Sequence, residues 1–166
     1  MPPWKARARW RSSRPSQGDR PALSVRVQTA DFDIGQEIAA LTKGRCDGGA
    51  ISSFIGTVRD VPLVLEHYPG MTERALKDIH HQALTGFDLL GARLIHRTGA
   101  LNPGDQIVLA LALARHRQAA LEATSFMMDQ LKTVAPFWKL EAGKWVTPRA
   151  SDQEAAKTWY RNKVEQ

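Results

Sequence analysis

From residue 23 the chain alternates: "LSVRVQT" sets Leu23, Val25 and Val27 against polar neighbours, the period of a half-buried strand. The next segment, "DFDIGQEIAALTKG", changes to helical spacing, with Asp33 placed to cap it, Gln36 three residues on and Gly44 after the last turn. Two β-branched and aromatic runs follow, "GAISSFIGTVRD" and "PLVLEHY", which predict a pair of strands. In "TERALKDIHHQAL", Ala75, Leu76, Ile79 and Ala83 recur at helical spacing, with Thr72 as the expected cap.

"ARLIHRTG" and "DQIVLALALA" then predict two more strands, joined by "LNPGD", whose Pro-Gly pair suits a type II turn. A long helix is expected over "QAALEATSFMMDQLKTV", its apolar face made by Leu121, Phe126, Met127, Met128, Leu131 and Val134, with the methionines filling core. Pro136 removes an N–H and pushes Ala135 out of the helical region, so that helix should end near Val134. "KWVTPR" predicts a short strand, and "SDQEAAKTWYR" opens a last helix with a Ser151 to Glu154 capping box. Strands that follow one another closely, mixed with helices, make the class α+β with a largely antiparallel sheet.

Composition changes this picture only at the N-terminus. The net charge of +6 is concentrated in residues 1–22, where Lys5, Arg7, Arg9, Arg11, Arg14 and Arg20 face Asp19 alone. Rich in Arg, Pro and Ser and without hydrophobic period, this stretch reads as a disordered basic tail, followed by a single domain over 23–166. Trp4 and Trp10 would allow the tail to stack on bases, but no folded nucleic-acid motif accompanies it, and a solvated extension is the favoured reading. No apolar run is long enough to span a membrane, and charges stand where a signal peptide would be apolar; a cytoplasmic protein is expected. Cys46 is the only cysteine, which excludes an internal disulfide and a Cys-only metal site.

The candidate chemistry is basic. In "LKTVAPFWK", Lys132 falls in a last helical turn, where the macrodipole favours a cation, and Lys139 lies past the proline break. A return of the chain anchored by Phe137 and Trp138 would bring both ammonium groups to one cleft, where lysine can bind an anion, move a proton or attack a carbonyl. Arg115, His116 and Arg117 in "ARHR" stand where a strand gives way to a helix N-terminus, a natural anion site. Arg59 ends the "GTVRD" strand and Arg149 lies in "TPRASD". No P-loop, GxGxxG, HExxH or GxSxG occurs. His67, His80, His81 and His96 form no metal-ligand pattern; His80 and His81 are expected on an exposed helix side and His96 as a structural strand residue.

The ordered set "GAISSFIGTVRD", "LEHYPGMTERAL", "IHRTGALNPGDQIVLALALARHRQAALEATSFMMDQLKTVAPFWK" and "SDQEAAKTW" closely resembles the large, catalytic subunit of molybdopterin synthase, over about residues 23 to 160. The resemblance implies an α/β hammerhead-type fold and a dimer of large subunits with a small ubiquitin-like sulfur carrier at each end, a heterotetramer. It implies sulfur transfer from the carrier's C-terminal thiocarboxylate to cyclic pyranopterin monophosphate, forming the dithiolene of molybdopterin, with no metal or redox cofactor. By the same resemblance Lys132 and Lys139 are the active-site lysines, and Arg59, His116, Arg117 and Arg149 bind phosphate and pterin. Lys132 would engage the carrier's acyl group and Lys139 would serve as acid or base at the pterin carbon; exchanging the two roles fits equally well. One departure stands out: "VRDVPLVLEHY" joins two motifs that the family usually separates by a longer stretch beside Arg59. That shortening motivates one alternative, a catalytically impaired scaffold that still docks the carrier; a polyanion-binding role of the tail is another.

Overall fold

A computed structural model describes residues 24–146 and Trp159. The tail, Arg149 and the Ser151 to Glu154 capping box lie outside the described residues. The elements run β1 (Val25–Gln28), α1 (Ile34–Thr42), β2 (Ala50–Thr57), β3 (Leu63–His67), α2 (Met71–Gly86), β4 (Gly91–Arg97), β5 (Gly99–Leu101), β6 (Gln106–Ala114), α3 (Arg117–Val134), β7 (Phe137–Glu141) and β8 (Lys144–Val146). Two four-stranded sheets form, in the orders β1-β4-β6-β2 and β5-β3-β7-β8. Among the described residues only β1 and β4 pair in parallel. The α+β, largely antiparallel class read from the sequence is the observed one.

The run "IVLALALA" explains the layering. A strand points alternate side chains to opposite faces, so Leu109, Leu111 and Leu113 join Phe32, Leu41 and Ile95 on the α1 side. Val108, Ala110 and Ala112 face the other way, into a cluster with Leu76, Ile79, Phe126 and Met127 from α2 and α3. Alanines on that face let two helices lie close to the sheet. A smaller cluster of Val58, Leu63, Leu65 and Leu101 belongs to the second sheet, and Ile107 packs against both it and the main core.

Several local expectations hold and several are corrected. Asp33 caps α1, its carboxylate accepting the Gln36 N–H at 2.8 Å, and Gly44 takes a positive φ of 72° just beyond. Thr72 is not the cap of α2: the helix starts at Met71 behind Gly70, whose N–H is bonded to the Glu73 carboxylate, and Thr72 is fully buried in the first turn. His81 is exposed as expected, but His80 is buried, its Nε2–H donating to the Ala92 carbonyl at 3.1 Å. On α3, Phe126, Met127, Met128 and Leu131 are buried, whereas Leu121 and Val134 are exposed. Leu121 stands about 100° around the helix from buried Ala120, off the stripe that meets the sheet, and Val134 is the residue at which the helix ends.

Candidate functional site

Helix α3 ends at Val134, and Ala135 is extended (φ −76°, ψ 126°), as the following proline requires. The Phe137 N–H donates to the Ala135 carbonyl at 2.9 Å, closing a tight bend around Pro136. The chain then enters β7, which pairs antiparallel with β3 so that Phe137 lies opposite His67, Trp138 opposite Glu66 and Lys139 opposite Leu65. Lys132 thus sits on the exposed last turn of a helix, and Lys139 half-buried on a strand.

Strand period settles the role of the two aromatics. Phe137 points inward and stacks on the buried His96 ring, centroids 3.8 Å apart and planes 18° from parallel. Trp138 points to the opposite face and is 47% exposed, so Phe137 alone of the expected pair anchors the return. Lys139 shares the Phe137 face, two residues along, and its Nζ lies 2.7 Å from the Glu141 carboxylate. Glu141 escaped the sequence reading, although an acid two residues from a strand lysine is on the same face by period alone.

His96 is neutral here. Burial pushes it down from 6.5 to about 4, against the opposing effect of its Nδ1–H bond to the Arg97 carbonyl, while nearby His67 pushes the same way as burial. It is a structural strand residue, as expected, and it also underlies the bend between the lysines.

The second basic cluster lies elsewhere. His116 is the extended N-cap residue of α3 and Arg117 its first helical residue; both are exposed and line an open cleft of about 610 Å³ with Gln118, Leu121 and Glu122. First-turn N–H groups without helical acceptors face outward here, the condition for holding an anion. Arg117 and Lys132 are separated by about 22 Å of helical rise. Since α3 runs back over β6 and β2, its lysine end returns to the Gln106 and Thr57 end of the first sheet, the end where exposed Arg59 follows β2. One chain therefore puts Arg59 and the lysines at one end and His116 and Arg117 at the other.

The chain matches the family model described as MoaE protein over residues 27–134. The chain belongs to the MoaE family. The match ends at the last residue of α3, so Lys132 falls within it and Lys139 beyond it. A curated MoaE relative, the molybdopterin synthase catalytic subunit of Ralstonia nicotianae, is 50% identical, the alignment covering 82% of this chain and 84% of that protein. The solved structure of the molybdopterin biosynthesis MoaE protein from Burkholderia ambifaria MC40-6 superposes with a TM-score of 0.74 at 46% identity, covering 82% of this chain and 97% of that one. A more distant solved structure, a protein–protein complex of subunits 1 and 2 of molybdopterin-converting factor from Helicobacter pylori 26695, shares the fold, with a TM-score of 0.63 at 21% identity over 76% of this chain and 91% of that one.

Proposed function

We propose that this chain is the catalytic subunit of a molybdopterin synthase, transferring sulfur from the thiocarboxylated C-terminus of a small ubiquitin-like carrier to cyclic pyranopterin monophosphate. The observation that carries the reading is the Pro136 bend, which sets Lys132 on a helix end and a Glu141-paired Lys139 on the adjoining strand. In this reading Lys132 engages the acyl group while the thiocarboxylate sulfur bonds to the pterin carbon and that carbon's bond to oxygen breaks, Lys139 giving the departing oxygen its proton. The acyl–sulfur bond breaks and the carrier leaves as its carboxylate after hydrolysis. Arg59, His116, Arg117 and Arg149 hold the phosphate and pterin. The reaction runs in the cytoplasm, where a lone exposed thiol such as Cys46 stays reduced.

The separation along α3 supports a dimer with shared sites. An anion held at His116 and Arg117 of one copy meets the lysines of a second copy, as in a closed two-fold assembly where one patch faces another. Two tests follow. In a reconstituted assay with thiocarboxylated carrier and cyclic pyranopterin monophosphate, Lys132→Ala and Lys139→Ala are expected to lose about 100-fold or more in turnover; undiminished product would refute the lysine mechanism, and carrier binding without turnover by the unaltered chain would favour the scaffold reading. Mixing Arg117→Ala with Lys132→Ala after subunit exchange should restore roughly a quarter of the sites, and no recovery would refute site sharing.

A further inference from the structure

The bend that carries both lysines is held from two sides by side chains to which sulfur transfer assigns no part. The first is Thr72. Its hydroxyl donates to the Pro136 carbonyl at 3.2 Å and accepts the Tyr68 N–H, also at 3.2 Å. A hydroxyl has one proton to give, and this one gives it across 64 residues of sequence to the proline between the lysines. Thr72 has no exposed surface and sits in the first turn of α2, a rigid element packed on the first sheet and on α3.

The second is His96 on β4. Its ring lies flat on Phe137, the residue after the proline, and its Nδ1–H is tied to the Arg97 carbonyl at 2.8 Å, so the plane on which Phe137 rests is itself fixed. One contact is a hydrogen bond to the proline carbonyl and the other an aromatic stack on the next side chain. Pro136 ends α3, and these two contacts fix how the bend beyond it lies on α2 and β4, and thus the direction in which β7 carries Lys139 relative to Lys132.

We propose that Thr72 and His96 are positioning residues for sulfur transfer, clamping the Pro136–Phe137 bend so that the two lysines meet the acyl and pterin carbons in register. This rests on the reading of the lysines as the transfer site. Neither clamp residue touches substrate; each acts through the backbone and ring of the bend. Misplacement of reacting groups by about 1 Å can cost on the order of 100-fold in rate, which is the effect a loosened bend would have.

The test uses the full chain with thiocarboxylated carrier and cyclic pyranopterin monophosphate, measuring single-turnover product formation at saturating carrier and carrier affinity separately. Thr72→Val removes the hydroxyl at nearly constant volume, and His96→Leu removes the flat ring. Both are expected to slow the single turnover by about 5- to 50-fold with carrier affinity unchanged within about twofold. Thr72→Ser, which keeps the donor, and His96→Phe, which keeps the stack, are expected to recover to within about threefold of the unaltered chain. Normal rates in Thr72→Val and His96→Leu while Lys132→Ala and Lys139→Ala are inactive would overturn the clamp alone. So would a Thr72→Ser as slow as Thr72→Val, or a loss confined to carrier affinity. Active lysine variants would overturn the transfer-site reading and the clamp with it. Should Thr72→Val fail to fold by its melting profile, the His96→Leu and His96→Phe pair carries the same test from the other side of the bend.

Discussion

His96 makes folding stability depend on acid in a defined window. In the unfolded chain its imidazole takes a proton near pH 6.5, and in the folded chain burial delays this to about 4. Between those values the unfolded state binds more protons, so stability falls as pH falls from 6.5 towards 4, is flat above the window, and loses nothing further below it. At about 1.4 kcal/mol per pH unit the full loss is about 3 kcal/mol, of which about 2.5 kcal/mol is lost by pH 4.5. The assay is urea unfolding at pH 7.5, 6.5, 5.5 and 4.5, for the unaltered chain and for His96→Phe. Phenylalanine keeps the stack on Phe137 but gives up the bond to the Arg97 carbonyl, a pH-independent cost of about 1 kcal/mol. Other titrating groups contribute to both curves, so the difference between them isolates His96. Curves that stay parallel within about 0.5 kcal/mol from pH 7.5 to 4.5 would refute a buried, neutral His96.

Two further substitutions test the frame around the site. A Cβ at Gly49 would lie 2.1 Å from the Arg115 carbonyl oxygen, so Gly49→Ala must shift backbone directly before His116 and Arg117; a stability loss of about 1–3 kcal/mol in urea unfolding and a raised KM for the pterin are expected. Glu37 faces two guanidinium groups, Arg26 and Arg93, where β1 and β4 meet α1. Glu37→Ala withdraws their shared counter-charge, and a loss of about 3 kcal/mol is expected by the same measurement, with Glu37→Gln losing less because its amide oxygen still accepts.

What could be read from the sequence was what local physics decides. The Leu and Ala alternation in residues 109–114 marked a strand, and the end of α3 followed from Pro136 because the proline restricts the residue before it. The β4–β6 hairpin was readable from the Pro-Gly turn, but not the strand within its connection: Gly99, with φ 88°, turns Gly99–Leu101 out of the first sheet to pair with β3 in the second. A change of sheet leaves no period in three residues. His80 occupies the stripe of Leu76, Ile79 and Ala83 on α2, yet its polar type led to an exposed reading; the Ala92 carbonyl that satisfies it comes from another element. Lys132 and Lys139 were recognisable by motif, whereas Glu141 was not, because no strand was read over residues 137–141 to give it a period. Thr72 and His96 meet the bend only through tertiary packing, which no local pattern announces.

The proline matters to the site for a reason beyond ending a helix. Had α3 continued, Lys139 would have followed Lys132 two turns on, about 10 Å along one face of one helix, a spacing set by helix geometry alone. With the break, Lys139 enters β7, where the register with Leu65 on β3 fixes it and Glu141 pairs with it. The two lysines then belong to different layers, one on a helix packed over the first sheet and one within the second. Their separation is governed by how the two sheets meet, through Ile107 packed into both cores and through the contacts of Thr72 and His96 at the bend. A core change at Ile107, for example, therefore reaches the lysine pair through the packing between the sheets, whereas an intact helix would have insulated it.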